Sequence, residues 1–273
     1  MPDRHFAVRN RGVYAAEIAA YTKVLRAGQA KRRAHVYFGR GNAYLASGRP
    51  KLALLDYAFA LKLDPKLADV LALRGEALVA LGRHEKALAE LDKAVQIAPG
   101  NAEIAGSRAI ARLVLGRLDD ADAEWRRQLE LLPVDNAPAR ACVLLRLADY
   151  AASVPPLERA CQGEPADLYW RLYLRTARAR LDGVPAPADG AAVPSTWPGP
   201  LLALHAGRSS PDEVLARADN PVRRAEALFQ LGVLAVAGAA ERARQHWGQL
   251  IEIAPPVMVE HAAARHELRR LGA

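Results

Sequence analysis

The sequence has few of the residues on which disulfide-bonded, sheet-forming or catalytic proteins depend. It holds 2 cysteines, 2 methionines, 4 phenylalanines, six serines and three threonines, and no serine stands in a nucleophile elbow. No run of β-branched residues is bounded by turn residues, so a sheet has little support. No stretch of about 20 apolar residues occurs, so no membrane-spanning helix is expected. These absences favour an all-α protein.

Enzyme and metal-binding motifs are also missing from the sequence. The Gly-Arg-Gly at residues 39–41 has neither the preceding strand nor the third glycine of a dinucleotide-binding loop. His84 begins a segment that lacks the second histidine of a zinc-binding helix, and His261 and His266 are five residues apart, on different faces of a helix. We therefore predict a protein that is not an enzyme and has no metal or cofactor.

The net charge of +8 is concentrated at the N-terminal end. Residues 1–50 hold ten Lys and Arg against Asp3 and Glu17, whereas the other residues balance. Such an excess of positive charge attracts acidic proteins, anionic lipid or nucleic acid, and it does not indicate which of these is bound. An electrostatic binder of nucleic acid or anionic membrane is therefore our alternative function, and a basic end that only aids solubility is the simpler interpretation. The basic residues concerned are Arg4, Arg9, Arg11, Lys31, Arg32 and Arg33.

The N-terminal segment carries neither the apolar core of a signal peptide nor a cysteine for lipid anchoring. We expect a cytoplasmic location, with a periplasmic one as the alternative if a signal peptide has been removed. Cytoplasmic thiols usually stay reduced, so a disulfide between Cys142 and Cys161 is not favoured, although their predicted positions on paired helices allow one.

A pattern of small, aromatic and turn residues repeats every 34 residues through three units, 34–67, 68–101 and 102–135. Such a period predicts stacked pairs of antiparallel helices. In each unit a glycine ends the first helix and a proline follows the second. Leu63, Ile97 and Leu131 are expected to be buried against the next pair. The turn glycines are Gly48, Gly82 and Gly116, and the prolines are Pro65, Pro99 and Pro133.

The first unit resembles the tetratricopeptide repeat, whose pattern it matches with Tyr37, Gly41, Tyr44, Gly48, Ala53, Tyr57, Ala60 and Pro65. The resemblance implies a right-handed superhelical solenoid of antiparallel helix pairs. It also implies a non-catalytic scaffold or adaptor that binds a segment of a partner protein in its concave groove.

The domain organisation follows from where this pattern weakens and returns. Its order is similar to that of the NlpI-like group of bacterial tetratricopeptide adaptors, a resemblance that leaves a homodimer open. The predicted segments are a basic segment with a capping helix at 1–33, three repeat units at 34–135, a degenerate helical unit at 136–182, a Pro/Ala-rich loop at 183–196, and C-terminal helices with one further unit and a capping helix at 197–273.

Arginines and acids recur at fixed slots on opposite sides of each turn. In each unit the number of residues from the arginine to the turn is about the same as the number from the turn to the acid. The arginines are Arg40, Arg74 and Arg108, and the acids are Asp56, Glu90 and Glu124. Each pair should therefore face across its two helices, and an unpaired, partly buried arginine would be costly. The pattern predicts a structural ladder of ion pairs. Cys142 replaces the arginine in the fourth unit, so the ladder should change there.

Binding is predicted on the first helices of the three units, which line the concave face of a tetratricopeptide solenoid. Exposed Phe38, Leu45, Val79 and Leu113 would supply apolar contacts, and a partner segment with hydrophobic anchors and some basic residues would suit the mixture. The slots that bind chaperone tails in similar proteins hold Phe38, Leu73, Glu103 and Ser107 here, which disfavours that ligand. The predicted binding residues are His35, Phe38, Asn42, Leu45, Asp69, Ala72, Glu76, Val79, Glu103, Ile110 and Leu113.

Overall fold

The computed structural model describes residues 11–27, 33–183 and 194–272, and within them every regular element is a helix. The chain divides into two compact units, residues 1–131 and 132–273. No helix in the described residues is long and apolar enough to cross a membrane. The all-α prediction is confirmed.

The first compact unit contains seven helices in its described residues. They are α1 (Arg11–Arg26), α2 (Arg33–Ala46), α3 (Pro50–Leu63), α4 (Ala68–Val79), α5 (His84–Ile97), α6 (Ala102–Val114) and α7 (Leu118–Leu131). Three pairs pack together: α2 with α3, α4 with α5, and α6 with α7. Each pair contacts the next. The three predicted repeat units are therefore three helix pairs, with α1 packed against the first of them.

Small residues let the two helices of each pair approach closely, as the repeat pattern predicts. A Cβ atom on Gly41 would stand 2.6 Å from Tyr57, and one on Gly75 would stand 2.8 Å from Leu91. Tyr57 and Leu91 are fully buried. Because neither large side chain has room beside a methyl group at the glycine, the small residues are needed for the packing.

The second compact unit contains eight helices in its described residues. They are α8 (Ala137–Arg146), α9 (Tyr150–Gly163), α10 (Leu168–Asp182), α11 (Gly199–His205), α12 (Pro211–Arg217), α13 (Pro221–Ala235), α14 (Ala240–Ile253) and α15 (Val259–Arg270). Helices α13 and α14 form the returning pair, and α15 packs against both α14 and α8. Most of the predicted Pro/Ala-rich loop lies outside the described residues.

The turn between α8 and α9 departs from the period of 34. Ala148 has φ 50° and takes the place that Gly48, Gly82 and Gly116 hold in the first unit. In this turn the amide of Asp149 donates to the carbonyl of Leu144 at 2.9 Å, as the residue after each of those glycines donates in its own turn. The turn therefore comes two residues earlier than the period predicts, which is why the fourth repeat looks degenerate.

The predicted ladder of ion pairs is confirmed in the first compact unit. Arg40 donates to both oxygens of Asp56, at 2.8 and 2.7 Å. Arg74 pairs with Glu90, and Arg108 pairs with Glu124 at 2.7 Å. The hydrogen bond and charge of Asp56 raise the pKa of Arg40. In the second unit Glu158 instead pairs with Arg178 at 2.7 Å, so the ladder changes where the sequence indicates.

Candidate functional site

The predicted binding residues lie on α2, α4 and α6, the first helices of the three pairs. Helix α4 contacts both α2 and α6, so these three helices lie side by side. This lateral packing decides which of their side chains remain accessible. We call their accessible side the inner face, and its members are His35, Phe38, Asn42, Asp69, Glu76, Glu103 and Ile110.

The structure corrects the predicted placement of four residues in the binding row. Leu45, Ala72 and Val79 are buried in the core cluster of the first unit, and Leu113 is fully buried. These slots fall on one side of each helix, and that position predicts a place in the groove. In the structure Leu45, Ala72 and Val79 instead pack in a core to which all the helices from α2 to α6 contribute. These four side chains therefore stabilise the stack.

Two polar members of the inner face, Asn42 and Glu76, are tied to neighbouring helices by hydrogen bonds. Tyr57 donates its hydroxyl proton to the Asn42 Oδ1 at 2.9 Å. The hydroxyl of Ser107 donates to Glu76 Oε1 at 2.7 Å, which joins α6 to α4. Hydrogen bonds hold these acceptors in fixed positions, so the inner face is a preorganised surface.

Three carboxylates and two apolar side chains give the inner face its chemistry. Asp69 and Glu103 are exposed and stand in the first turns of α4 and α6, while Glu76 is half-buried. Phe38 and Ile110 are half-buried, and the ring of Phe38 packs at a tilt against Tyr57. Such a face fits a segment that carries basic groups beside apolar anchors.

The start of α6 shows how the sequence positions one of these carboxylates. The Asn101 side chain caps the helix by accepting from the amides of Glu103 and Ile104, at 2.9 and 3.3 Å. Its Nδ2 also donates to Asp69 Oδ1 at 3.2 Å. An N-cap asparagine thus fixes the first turn of α6 and links it to the first turn of α4.

Sequence reasoning missed an exposed apolar row on α3. Leu63, which was expected to be buried, is exposed together with Leu52, Leu55 and Phe59, and Ile97 at the end of α5 is exposed as well. A comparison of the slots across units could have found this row, because the other units hold charged residues or alanine at most of them. An open surface pocket of about 370 Å³ lies nearby, lined by Leu61, Pro65, Leu71, Arg74, Lys93, Gln96 and Ile97.

The second compact unit contains a buried polar cluster that the sequence did not indicate. The indole of Trp197 and the hydroxyl of Tyr169 donate to Glu226, the latter at 3.4 Å. Tyr173 donates to Glu260 at 3.1 Å. Burial, with the neighbouring charge of Glu260, raises the pKa of Glu226 to about 8. The folded protein thus binds the proton of Glu226 more tightly than the unfolded chain does.

The structure bears on two further predictions, the disulfide and the basic N-terminal end. Cys142 and Cys161 are not joined by a disulfide, and burial raises the pKa of the Cys161 thiol. No group of three or more metal-ligating side chains occurs among the described residues. Of the basic cluster, the structure describes the exposed side chain of Arg33, and the other side chains lie outside the described set.

Comparison with known proteins tests the resemblance. Residues 38–102 match the family described as tetratricopeptide repeat. The resemblance to tetratricopeptide repeats is confirmed. A thermophilic tetratricopeptide-repeat protein of Thermus thermophilus is similar in structure, with a TM-score of 0.51 and 21% identity over 64% of this chain and 96% of that one. This likeness supports the repeat fold.

Two further solved structures are similar at lower TM-scores. A tetratricopeptide repeat protein of Parabacteroides merdae aligns with 98% of this chain and 96% of its own, at 16% identity and a TM-score of 0.47. The first tetratricopeptide repeat domain of Spaghetti (RPAP3), bound to an HSP90 peptide, aligns with 44% of this chain and 96% of its own, at 24% identity and a TM-score of 0.38. No curated protein matches the chain.

Proposed function

We propose that this protein is a non-catalytic scaffold that binds a segment of a partner protein on its inner face. Tetratricopeptide repeats in residues 38–102 support a protein-interaction role. The observation that carries the proposal is the grouping of Asp69, Glu76 and Glu103 beside Phe38 and Ile110 on adjoining helices. The partner segment accordingly presents Lys or Arg next to one or two apolar anchors.

A charge reversal on the inner face tests this proposal. Glu103→Arg places a cation in the first turn of α6, where it repels a basic segment, so bound partners should be lost. Glu85→Arg is the matched control, because Glu85 is also exposed and also stands in the first turn of a helix, α5. Both changes carry the same unfavourable interaction with the helix dipole, so their difference reports the position of the surface.

The measurement is affinity capture from cells that make the protein naturally, with quantitative mass spectrometry of the bound proteins. Partners retained by wild type and Glu85→Arg should be depleted by both Glu103→Arg and Phe38→Glu. Circular dichroism should show the same helical content in all four proteins. Equal capture by all four would remove the inner face as the binding site.

A further inference from the structure

The exposed side of α3 carries a continuous apolar row, distinct from the inner face. Leu52, Leu55, Phe59 and Leu63 are 40%, 58%, 51% and 55% exposed. They recur at intervals of three or four residues, so they lie along one side of the helix. The first and last are eleven residues apart, which is about 16 Å along a helix axis. We call these four residues the α3 row.

The repeat itself shows that the fold does not need this row. At the slots of Leu52, Leu55 and Phe59, helix α5 holds Lys86, Ala89 and Lys93, and helix α7 holds Asp120, Ala123 and Arg127. Both helices form the same paired structure with these residues. The repeat therefore does not require large apolar side chains at these slots, yet Leu52, Leu55 and Phe59 are each about half exposed, which is the mark of an interaction surface.

The charged side chains at the row are mainly basic. Asp64, which follows α3, is half-buried and accepts a hydrogen bond from the amide of Lys66 at 3.1 Å. Lys51 and Lys62 are exposed on α3, and Lys66 is exposed just after its end. The acid within the helix, Asp56, is buried in its ion pair with Arg40 and is not available to a partner. Lys51 and Lys62 are eleven residues apart, so they flank the row on one side, and such an edge complements an apolar stripe flanked by carboxylates.

Phe59 gives the row a fixed centre. Its ring stacks on Tyr37 of α2, with the ring centroids 5.1 Å apart and the planes at 23°. A ring held in this way loses little side-chain freedom when a partner covers it. The C-terminal end of the row lies at the end of α3. Close to it in sequence, Leu61 and Pro65 line the open pocket together with Arg74 and Lys93. Apolar and basic groups thus occur together there as well.

We propose that the α3 row docks an amphipathic helix of another protein, with large apolar residues at three- and four-residue spacing and Asp or Glu along its edges. A second copy of this chain fits less well, because two α3 helices packed antiparallel would bring lysine against lysine.

A designed peptide tests the pairing directly. The probe is a fluorescent helical peptide of about 18 residues, long enough to form a helix, with Leu along one side and Glu along both edges. The comparison peptide has Lys in place of each Glu. Fluorescence anisotropy should show that the Glu peptide binds the wild-type protein at least tenfold more tightly than the Lys peptide.

Variants of the α3 row test the protein's side of the contact, and the residues found at the same slots of α5 supply the substitutions. Leu52→Lys/Leu55→Ala/Phe59→Lys installs the α5 residues on α3 and should weaken binding of the Glu peptide at least tenfold. Leu55→Glu, which keeps the stack of Phe59 on Tyr37, should weaken it in the same direction. Lys86→Ala changes the slot of α5 that is equivalent to Leu52 and should bind like wild type.

Three results would overturn the proposal. The first is a Glu peptide that does not bind, or that binds wild type and Leu55→Glu equally. The second is self-association of the wild type in analytical ultracentrifugation that the triple variant abolishes, which assigns the row to a second copy. The third is binding to phosphatidylserine-containing vesicles that the triple variant abolishes, which assigns it to a lipid surface. None of these measurements involves the inner face.

Discussion

Two glycines allow the cost of an unusual backbone conformation to be measured apart from the cost of a steric clash. Gly82 has φ 71°, and a Cβ atom placed there would meet no neighbour within 4 Å. A Cβ atom on Gly100 would also meet nothing within 4 Å, but Gly100 does not have the positive φ. The two glycines therefore differ in backbone conformation and not in available space.

Gly82→Ala should lower the free energy of unfolding by about 1 kcal/mol, because an L-residue pays a steric cost in the left-handed region. Gly100→Ala should be neutral or slightly stabilising, because it reduces the freedom of the unfolded chain without strain. Urea denaturation followed by circular dichroism measures both. Equal destabilisation by the two changes would show that the cost at Gly82 does not come from its φ.

Glycine marks most, but not all, of the turns between paired helices in this sequence. Gly48, Gly82 and Gly116 mark three turns in the sequence, and each has a positive φ in the structure. Ala148 adopts the same conformation without the residue that signals it. Its carbonyl accepts from Arg270, 122 residues away, and tertiary contacts of this kind cannot be read from local sequence.

At the scale of paired helices, the ion-pair ladder joins α2 to α3 through a partly buried contact. Asp56 is nearly inaccessible, whereas its partner Arg40 keeps 18% of its side-chain surface in solvent. Asp56→Ala should lower the free energy of unfolding by about 2 kcal/mol, less than for a fully buried pair because water still reaches Arg40. Replacing both residues, as Arg40→Leu/Asp56→Leu, should recover much of that loss, since no charge is then left unpaired.

The control for this prediction is an ion pair in the same unit whose lysine is mostly exposed. Lys93 approaches Glu90 at 3.4 Å with 60% of its side chain exposed. Lys93→Ala should change the free energy of unfolding by less than about 0.5 kcal/mol, because solvent screens exposed pairs. Chemical denaturation of wild type and these variants measures the differences. A double variant less stable than Asp56→Ala would contradict the account of an uncompensated arginine.

Helix boundaries and helix pairing could be predicted from spacing alone, but accessibility could not. The period of 34 and the positions of Gly48 and Pro65 define the first pair, and the observed helices agree with them. Whether Leu45 faces a groove or a neighbouring helix depends on how closely α2 and α4 lie, which a single helix does not specify. For the same reason the burial predicted for Leu63 and Ile97 is wrong.

At the scale of the whole molecule, long-range contacts in the second compact unit escaped prediction altogether. Tyr169 and Glu226 are 57 residues apart, and Tyr173 and Glu260 are 87 apart. The repeat pattern is weak here, so nothing in the sequence aligned α10 with α13 and α15. The buried carboxylates that result make stability depend on pH, because their proton affinity differs between the folded and unfolded chain.

Glu226 has a folded pKa of about 8 against an ordinary value of 4.5, raised by burial and by Glu260 and opposed by the hydrogen bonds from Trp197 and Tyr169 and by the charge of Arg223. The folded state therefore holds this proton more tightly than the unfolded chain. Its contribution to stability is complete below about pH 4.5 and is lost as the pH rises to about 8.

Two buried histidines act in the opposite sense. Burial lowers the pKa of His205 and of His261 to about 4 from an ordinary value of 6.5. Their contribution is complete above about pH 6.5 and is lost as the pH falls towards 4. The three groups together predict a maximum of stability in mildly acidic solution, with a decline on the alkaline side that belongs to Glu226.

Glu226→Gln should remove that alkaline decline, because the amide oxygen can still accept from Trp197 while no proton has to be lost. Relative to wild type, the variant should gain unfolding free energy at about pH 9 and little or none at about pH 5. Glu252→Gln, at an exposed position of α14, is the matched control and should follow the wild-type curve. Thermal unfolding across this range gives the comparison. A Glu226→Gln curve parallel to wild type would mean that Glu226 is charged in the folded protein throughout, with its charge balanced within the cluster.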